Sequence, residues 1–297
     1  MKKFMNICGT LAIIMIIAGI AMVGVSGAVK GPEAMKAIAN FVTDGMEQLD
    51  SGVRFDVQSD LDFEDGIPVL AGDSQQSFAA TEVQKLDVEI GACQFTILPS
   101  EDNNIYVHTT GVGSYQGYVK DGTLHLKGIS ANGIGADLSK EDNGVNVELQ
   151  LSACELTLYV PKDCYFEEVK LTLGAGAVSG SCPWEAEKLE LELAAGEIEL
   201  SNVEAGSLNV EVGAGALTYE GSIFKEVDVE CGMGDVVINL DDAQTEYNYD
   251  VEVAAGDVTI GSESFGGIAS ERNINNNAAK NMNIECAMGS VEIAFAN

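Results

Sequence analysis

The chain has 297 residues, 46% of them apolar and only 5 of them proline, so it can bury a core and is not compositionally disordered. Its 47 acidic residues outweigh 15 basic ones for a net charge of −32, which repels nucleic acid and anionic lipid and excludes both as partners of the folded part. Two arginines (Arg54, Arg272) and two histidines (His108, His125) leave few groups for anion binding or acid–base catalysis.

At the N-terminus, Lys2 and Lys3 precede an apolar run from Phe4 to Val29. The run exceeds the roughly 20 residues that span a bilayer, and the lysines ahead of it place the N-terminus in the cytoplasm. Residues 1–30 are therefore expected to be a transmembrane helix, in a single-pass protein whose C-terminal domain is extracellular. Ser26-Gly27-Ala28 also fits a signal-peptide cleavage site, so a cleaved leader is the alternative.

Residues 31–82 are expected to form a helical stalk and an acidic linker. Met35, Ile38, Phe41, Val42 and Met46 recur near helical spacing after Pro32. The following stretch, to Ala80, is acidic with Gly and Ser and reads as a partly ordered linker.

From residue 83 to 297 one phrase recurs: three alternating apolar residues, a small-residue elbow, then two more alternating apolar residues. Eight copies begin at Leu86, Val147, Val169, Leu189, Leu208, Val227, Tyr249 and Met282, with elbows at Cys93, Cys154, Gly176, Gly196, Gly215, Gly234, Gly256 and Gly289. From Cys154 to Gly256 the elbow spacings are 22, 20, 19, 19 and 22. A near-constant period with twofold alternation inside it predicts an all-β fold, a parallel β-solenoid of about 20-residue coils. An antiparallel sandwich is the rival architecture. Leu189, Leu191, Leu193, Ile198 and Leu200 should point inward, and Glu190, Glu192, Glu197 and Glu199 outward.

Two insertions interrupt the period. Residues 103–146 carry strand-like segments around the turn Lys120-Asp121-Gly122-Thr123 and are expected to be a hairpin insertion at the N-terminal end. The stretch GSESFGGIASERNINNNAAKN, residues 261–281, is polar and is expected to protrude as a loop.

The phrases LTLGAGAV, LELAAGEI, VEVGAGAL, VECGMGDV, VEVAAGDV and IECAMGSV together resemble the bacterial putative-adhesin family of β-strand-repeat domains, a domain-of-unknown-function group of Gram-positive cell envelopes. The resemblance runs from Val83 to Asn297. It implies an adhesin-like shape and a link with envelope-stress systems, and it carries no catalytic residues.

If the copies stack, equivalent side chains lie about 4.8 Å apart. The position before the third inward residue is Glu89, Gln150, Thr172, Glu192, Glu211, Glu230, Glu252 and Glu285. Like charges at that spacing repel by about 1 kcal/mol per pair in water. Salt, raised pKa values or bound cations should relieve them. Glu192, Glu211, Glu230, Glu252 and Glu285 are thus the candidate metal residues, a ladder for weak, multisite Ca²⁺; a merely solvated acidic face is the other reading.

Of seven cysteines, Cys8 lies in the apolar run, Cys93 and Cys154 at elbows, and Cys231 and Cys286 at inward positions. The last four are expected to be buried free thiols. Cys164 and Cys182, about one coil apart, could pair in an oxidising exterior. No catalytic or cofactor-binding residues are expected. The function expected is a membrane-anchored, adhesin-like binding or envelope structural protein without catalysis, its partners the membrane and a surface glycan or protein ligand. An envelope-stress sensing role, with signalling proteins as partners, is the alternative, and a carbohydrate-active β-helix enzyme the third.

Overall fold

A computed structural model describes residues 53–57, 61–131, 134–141, 144–151, 154–162, 164–266 and 269–296. The expected membrane anchor and helical stalk fall outside these residues. Among the described residues no helix is long and apolar enough to cross a membrane.

The fold is all-β. In chain order the strands are β1 (Val53–Val57), β2 (Leu70–Ala79), β3 (Lys85–Pro99), β4 (Asn104–Lys120), β5 (Thr123–Ser130), β6 (Ile134–Glu141), β7 (Gly144–Leu151), β8 (Glu155–Val160), β9 (Cys164–Gly180) and β10 (Trp184–Leu193). They continue with β11 (Glu197–Val212), β12 (Ala216–Cys231), β13 (Asp235–Leu240), β14 (Tyr247–Val253), β15 (Asp257–Ile260), β16 (Glu263–Gly266), β17 (Ser270–Ile274), β18 (Lys280–Cys286) and β19 (Ser290–Phe295).

Each copy of the repeat but the one at Val147 contributes two arms joined at its elbow, and the arms stack in parallel on equivalent arms of other copies. Leu189 of β10 is level with Val169 of β9 on one side and Leu208 of β11 on the other. Ile198 is likewise level with Val178 and Leu217. The alternation explains why. Leu189, Leu191, Leu193, Ile198 and Leu200 are all buried, while Glu197 and Glu199 are exposed and Glu190 and Glu192 half-buried. A slip of one residue in β10 or the start of β11 would put these glutamates into the core, so the register there is strongly specified.

The elbows stack backbone on backbone. Ala194 and Ala195 donate their amides to Leu173 O and Gly174 O at 2.9 and 3.1 Å. Gly196 sits at φ +115°, and a Cβ placed there would lie 2.2 Å from Gly176 O. The small residues at these corners are required by that closeness.

The stacking order is not the chain order. The first arms run β5, β3, β9, β10, β11, β12, β18, β14. The second arms run β8, β3, β9, β11, β12, β13, β19, β15. The copy beginning at Met282 is therefore inserted between those beginning at Val227 and Tyr249. At the other end, the second arm of the copy at Val147 lies outside the copy at Leu86. Its first arm, within β7, does not join the stack: β7 pairs antiparallel with β6 in a three-stranded sheet with β1, and β5 takes its place on β3.

Both insertions act as edge closures. Asp121 and Gly122 both have positive φ, +51° and +78°, the geometry of a two-residue hairpin turn, and β4 then runs antiparallel to β5, β8 and β2. Residues 70–79, expected within a partly ordered linker, are this outermost strand β2. Residues 261–281, expected to protrude, instead supply β16 and β17, which pair antiparallel with β15 and β14. The reason is the same at both ends: a parallel stack exposes a row of unpaired amides and carbonyls on its last strand, and an antiparallel return satisfies them.

Candidate acidic groove

The first arms carry the acidic columns. Glu192, Glu211, Glu230, Glu285 and Glu252 are successive register partners, so the structure brings together all five glutamates singled out in the sequence. It places Glu285 before Glu252 because β18 is inserted between β12 and β14. A sixth, Glu271 of β17, faces Glu252 across the antiparallel pair. Sequence reasoning missed it because SERNI shows no alternation that marks it as a strand; only the need to close the edge at β14 could have pointed there.

The neighbouring column reads His125, Asp87, Lys170, Glu190, Asn209, Asp228, Asn283, Asp250 and Asn273. The two columns divide the face into unlike halves. Towards β5, basic groups answer the acids. Lys127 pairs with Glu89 at 2.8 Å, His125 Nδ1 lies 2.9 Å from Asp87, and Lys85 pairs with Glu168 at 2.9 Å. Lys170 donates to Glu192 Oε1 at 2.5 Å, and Thr172 Oγ1 donates to Glu192 Oε2 at 2.9 Å. The hydrogen bond to Glu192 raises the Lys170 pKa, and the one from Lys188 holds the Glu190 carboxyl below its usual value.

Towards β17 the pattern changes. Among the described residues, Glu211, Glu230, Glu285, Glu252 and Glu271 form no ion pair. In the second column asparagines separate the acids there, and Asn273 donates to Asp250 at 3.4 Å. Amide spacers halve the charge density of that column, whereas the glutamate column has none.

A hollow of about 600 Å³ lies over this half, lined by the same five glutamates and by elbow backbone at Gly213, Gly232, Ala254 and Ala287. A smaller one of about 170 Å³ adjoins it, lined by Glu190, Glu192, Glu211, Asp228 and Glu230. The side chains form a line rather than a cage: among the described residues no three of His, Cys, Asp and Glu converge as a preformed metal site requires.

The cysteines need one correction. Cys93 and Cys154, expected as free thiols, form a disulfide between neighbouring elbows with Cα atoms 4.8 Å apart. In-register parallel stacking brings equivalent positions to that distance, which is within disulfide range. Cys164, Cys182, Cys231 and Cys286 are free. The two histidines do not meet. His125 stacks on Tyr118 with ring centres 4.9 Å apart, while His108 lies against Tyr159 at 4.8 Å with its Nε2 buried and unpartnered among the described residues.

A family model, Toastrack DUF4097, matches residues 83–296. Solved structures similar to this chain include a putative cell adhesion protein from Clostridium sporogenes, 14% identical, covering 76% of this chain and 100% of its own at a TM-score of 0.35. A putative adhesin from Bacteroides fragilis is 14% identical over 76% of this chain and 97% of its own, with a TM-score of 0.42. A third, from Parabacteroides distasonis, is 13% identical over 75% and 97%, with a TM-score of 0.29. No protein of curated function matches the sequence.

Proposed function

The chain belongs to the Toastrack DUF4097 family, and from that premise we propose that it is an extracellular, adhesin-like binding protein, held to the membrane by its N-terminal apolar segment and working without catalysis. We read the stacked parallel arms as a solenoid whose acidic face is the binding surface. Its ligand is cationic: Ca²⁺ held loosely along the glutamate column, or bridged through that column to an anionic partner on a neighbouring surface. One observation supports this reading above the others. Six glutamates follow one another in register, and the last five have no basic partner among the described residues. A merely solvated face has no need to concentrate its unpaired charge over a hollow while lysines neutralise the other half of the same face.

Thermal melts of the chain with and without millimolar Ca²⁺ test the proposal. A raised midpoint that is lost when Glu230 and Glu285 become Gln supports it. An unchanged midpoint overturns the calcium reading. Binding to a panel of surface glycans and matrix proteins, with Ca²⁺ present, tests adhesion, and no binding across the panel counts against it.

A further inference from the structure

Each end of the stack holds one coil out of chain order, and each such coil meets its neighbour through a pair of cysteines. At one end the Val147 copy lies outside the Leu86 copy, and the disulfide Cys93–Cys154 joins them across 61 residues of chain. At the other, β18 is inserted between β12 and β14, and Cys286 is the register partner of Cys231, 55 residues earlier (286 − 231).

The second pair is placed for the same bond. Both side chains point into the core at 2% exposure, and each thiol perturbs the ionisation of the other. The Cys231 sulfur leans towards the inserted coil, where a Cβ on Gly289 would lie 2.6 Å from it. The Cys286 sulfur leans likewise towards the next coil, 2.6 Å from a Cβ on Gly256, so Cys286 must turn to another rotamer to close a bond with Cys231. Each thiol also donates to a glycine carbonyl of its own elbow, Gly234 O and Gly289 O, at 3.2 Å. Adjacent parallel strands are about 4.8 Å apart, inside the Cα range a disulfide accepts.

We propose that Cys231 and Cys286 are a second disulfide site, closed as the C-terminal coil enters its slot, which locks that coil between its neighbours. The oxidant is a disulfide-bearing thiol oxidoreductase or a small-molecule disulfide. One thiolate of the pair attacks it, forming a mixed disulfide and releasing one thiol. The other thiolate then attacks the mixed disulfide, forming the Cys231–Cys286 bond and releasing the second thiol. Two electrons pass to the oxidant, and the two protons lost by the pair end on its thiols. Timing follows from burial: once the coil is seated, burial pushes the Cys231 thiol up to about 11 and the Cys286 thiol upward as well, so little thiolate remains to react. Exchange therefore belongs to the docking step, and the finished bond is shielded from reductant.

Peptide mapping of the full chain, produced in an oxidising compartment and denatured in the presence of an alkylating reagent, tests this. Cleavage after Lys225, Arg272 and Lys280 should yield peptide 281–297 joined to peptide 226–272 and separated by reduction. Cys93–Cys154 is the internal control. If it is bridged while Cys231 and Cys286 are both alkylated, the proposal is overturned, as it is if either residue is found joined to Cys164 or Cys182. If the control is also reduced, the chain is refolded with glutathione disulfide and scored by the same criteria. A Cys286→Ser variant should lose the joined peptide and keep Cys93–Cys154.

Discussion

Replacing Gly196 by Ala should be among the most damaging single methyl additions available in this chain. A Cβ there lies 2.2 Å from Gly176 O and 3.0 Å from Gly176 N, both backbone atoms of the neighbouring elbow that cannot rotate away. Restoring even a 3.0 Å contact moves the elbows apart by 0.8 Å (3.0 − 2.2). That separation stretches Ala194 N–Leu173 O and Ala195 N–Gly174 O, now 2.9 and 3.1 Å, beyond hydrogen-bonding length. Two lost bonds cost about 2 kcal/mol net, and holding alanine at φ +115° adds about 2 kcal/mol. The total is about 4 kcal/mol. Gly72→Ala is the control, with φ +76° and nothing within 4 Å of the new methyl, so it carries only the conformational cost of about 1–2 kcal/mol. Urea unfolding followed by fluorescence reads the difference directly, because Trp184 is the only tryptophan and is buried at the start of β10, the strand that leads into the Gly196 elbow. If the two variants unfold within about 1 kcal/mol of each other, close backbone stacking is not what demands small elbows.

Three further outcomes follow from the same geometry. Tyr219→Phe removes a buried hydroxyl that donates to Val203 O at 2.7 Å and should cost about 1–2 kcal/mol in chemical denaturation. Glu230→Gln removes a charge flanked in register by Glu211 and Glu285; it should stabilise the chain by about 1 kcal/mol at low salt, and the gain should vanish at high salt. Burial raises the pKa of Tyr115, Tyr219, Tyr247 and Tyr249 from the ordinary 10.0. Below pH 10 both folded and unfolded states keep these phenols neutral and stability is complete. Above it the unfolded chain ionises first, so stability falls as pH rises. Phenolate absorbance from these four should appear only together with loss of β-sheet circular dichroism, and independent titration near pH 10 would contradict their burial.

Much of the fold was legible because its information is local. The alternation in LELELAAGEIEL assigns inward and outward residues without reference to any partner, and Leu189 to Leu200 obey it. Equivalence of positions in a repeat then predicts columns, and five of the six glutamates were found that way. Glu271 was not, since its strand is defined by the edge it covers rather than by its own pattern. The disulfide was missed for a related reason: Cys93 and Cys154 suit a tight elbow equally well as thiols, and only their contact distance decides the chemistry.

Period and alternation together dictated the all-β class, the small elbows and the acidic outer face, since each depends on side-chain size and polarity at fixed spacing. Tertiary structure alone decided which copy of the repeat lies on which. Equivalent arms such as 227–231, 249–253 and 282–286 share one inward-outward alternation although their inward residues differ (Val-Val-Cys, Tyr-Val-Val and Met-Ile-Cys), so short-range pattern cannot choose among them. The choice rests on connection length and edge closure: the insertion before β18 carries the chain out to cover β14 and β15 and returns it to the vacant slot on β12. That return places Glu285 beside Glu230 and Cys286 beside Cys231, and with them the uninterrupted acidic column.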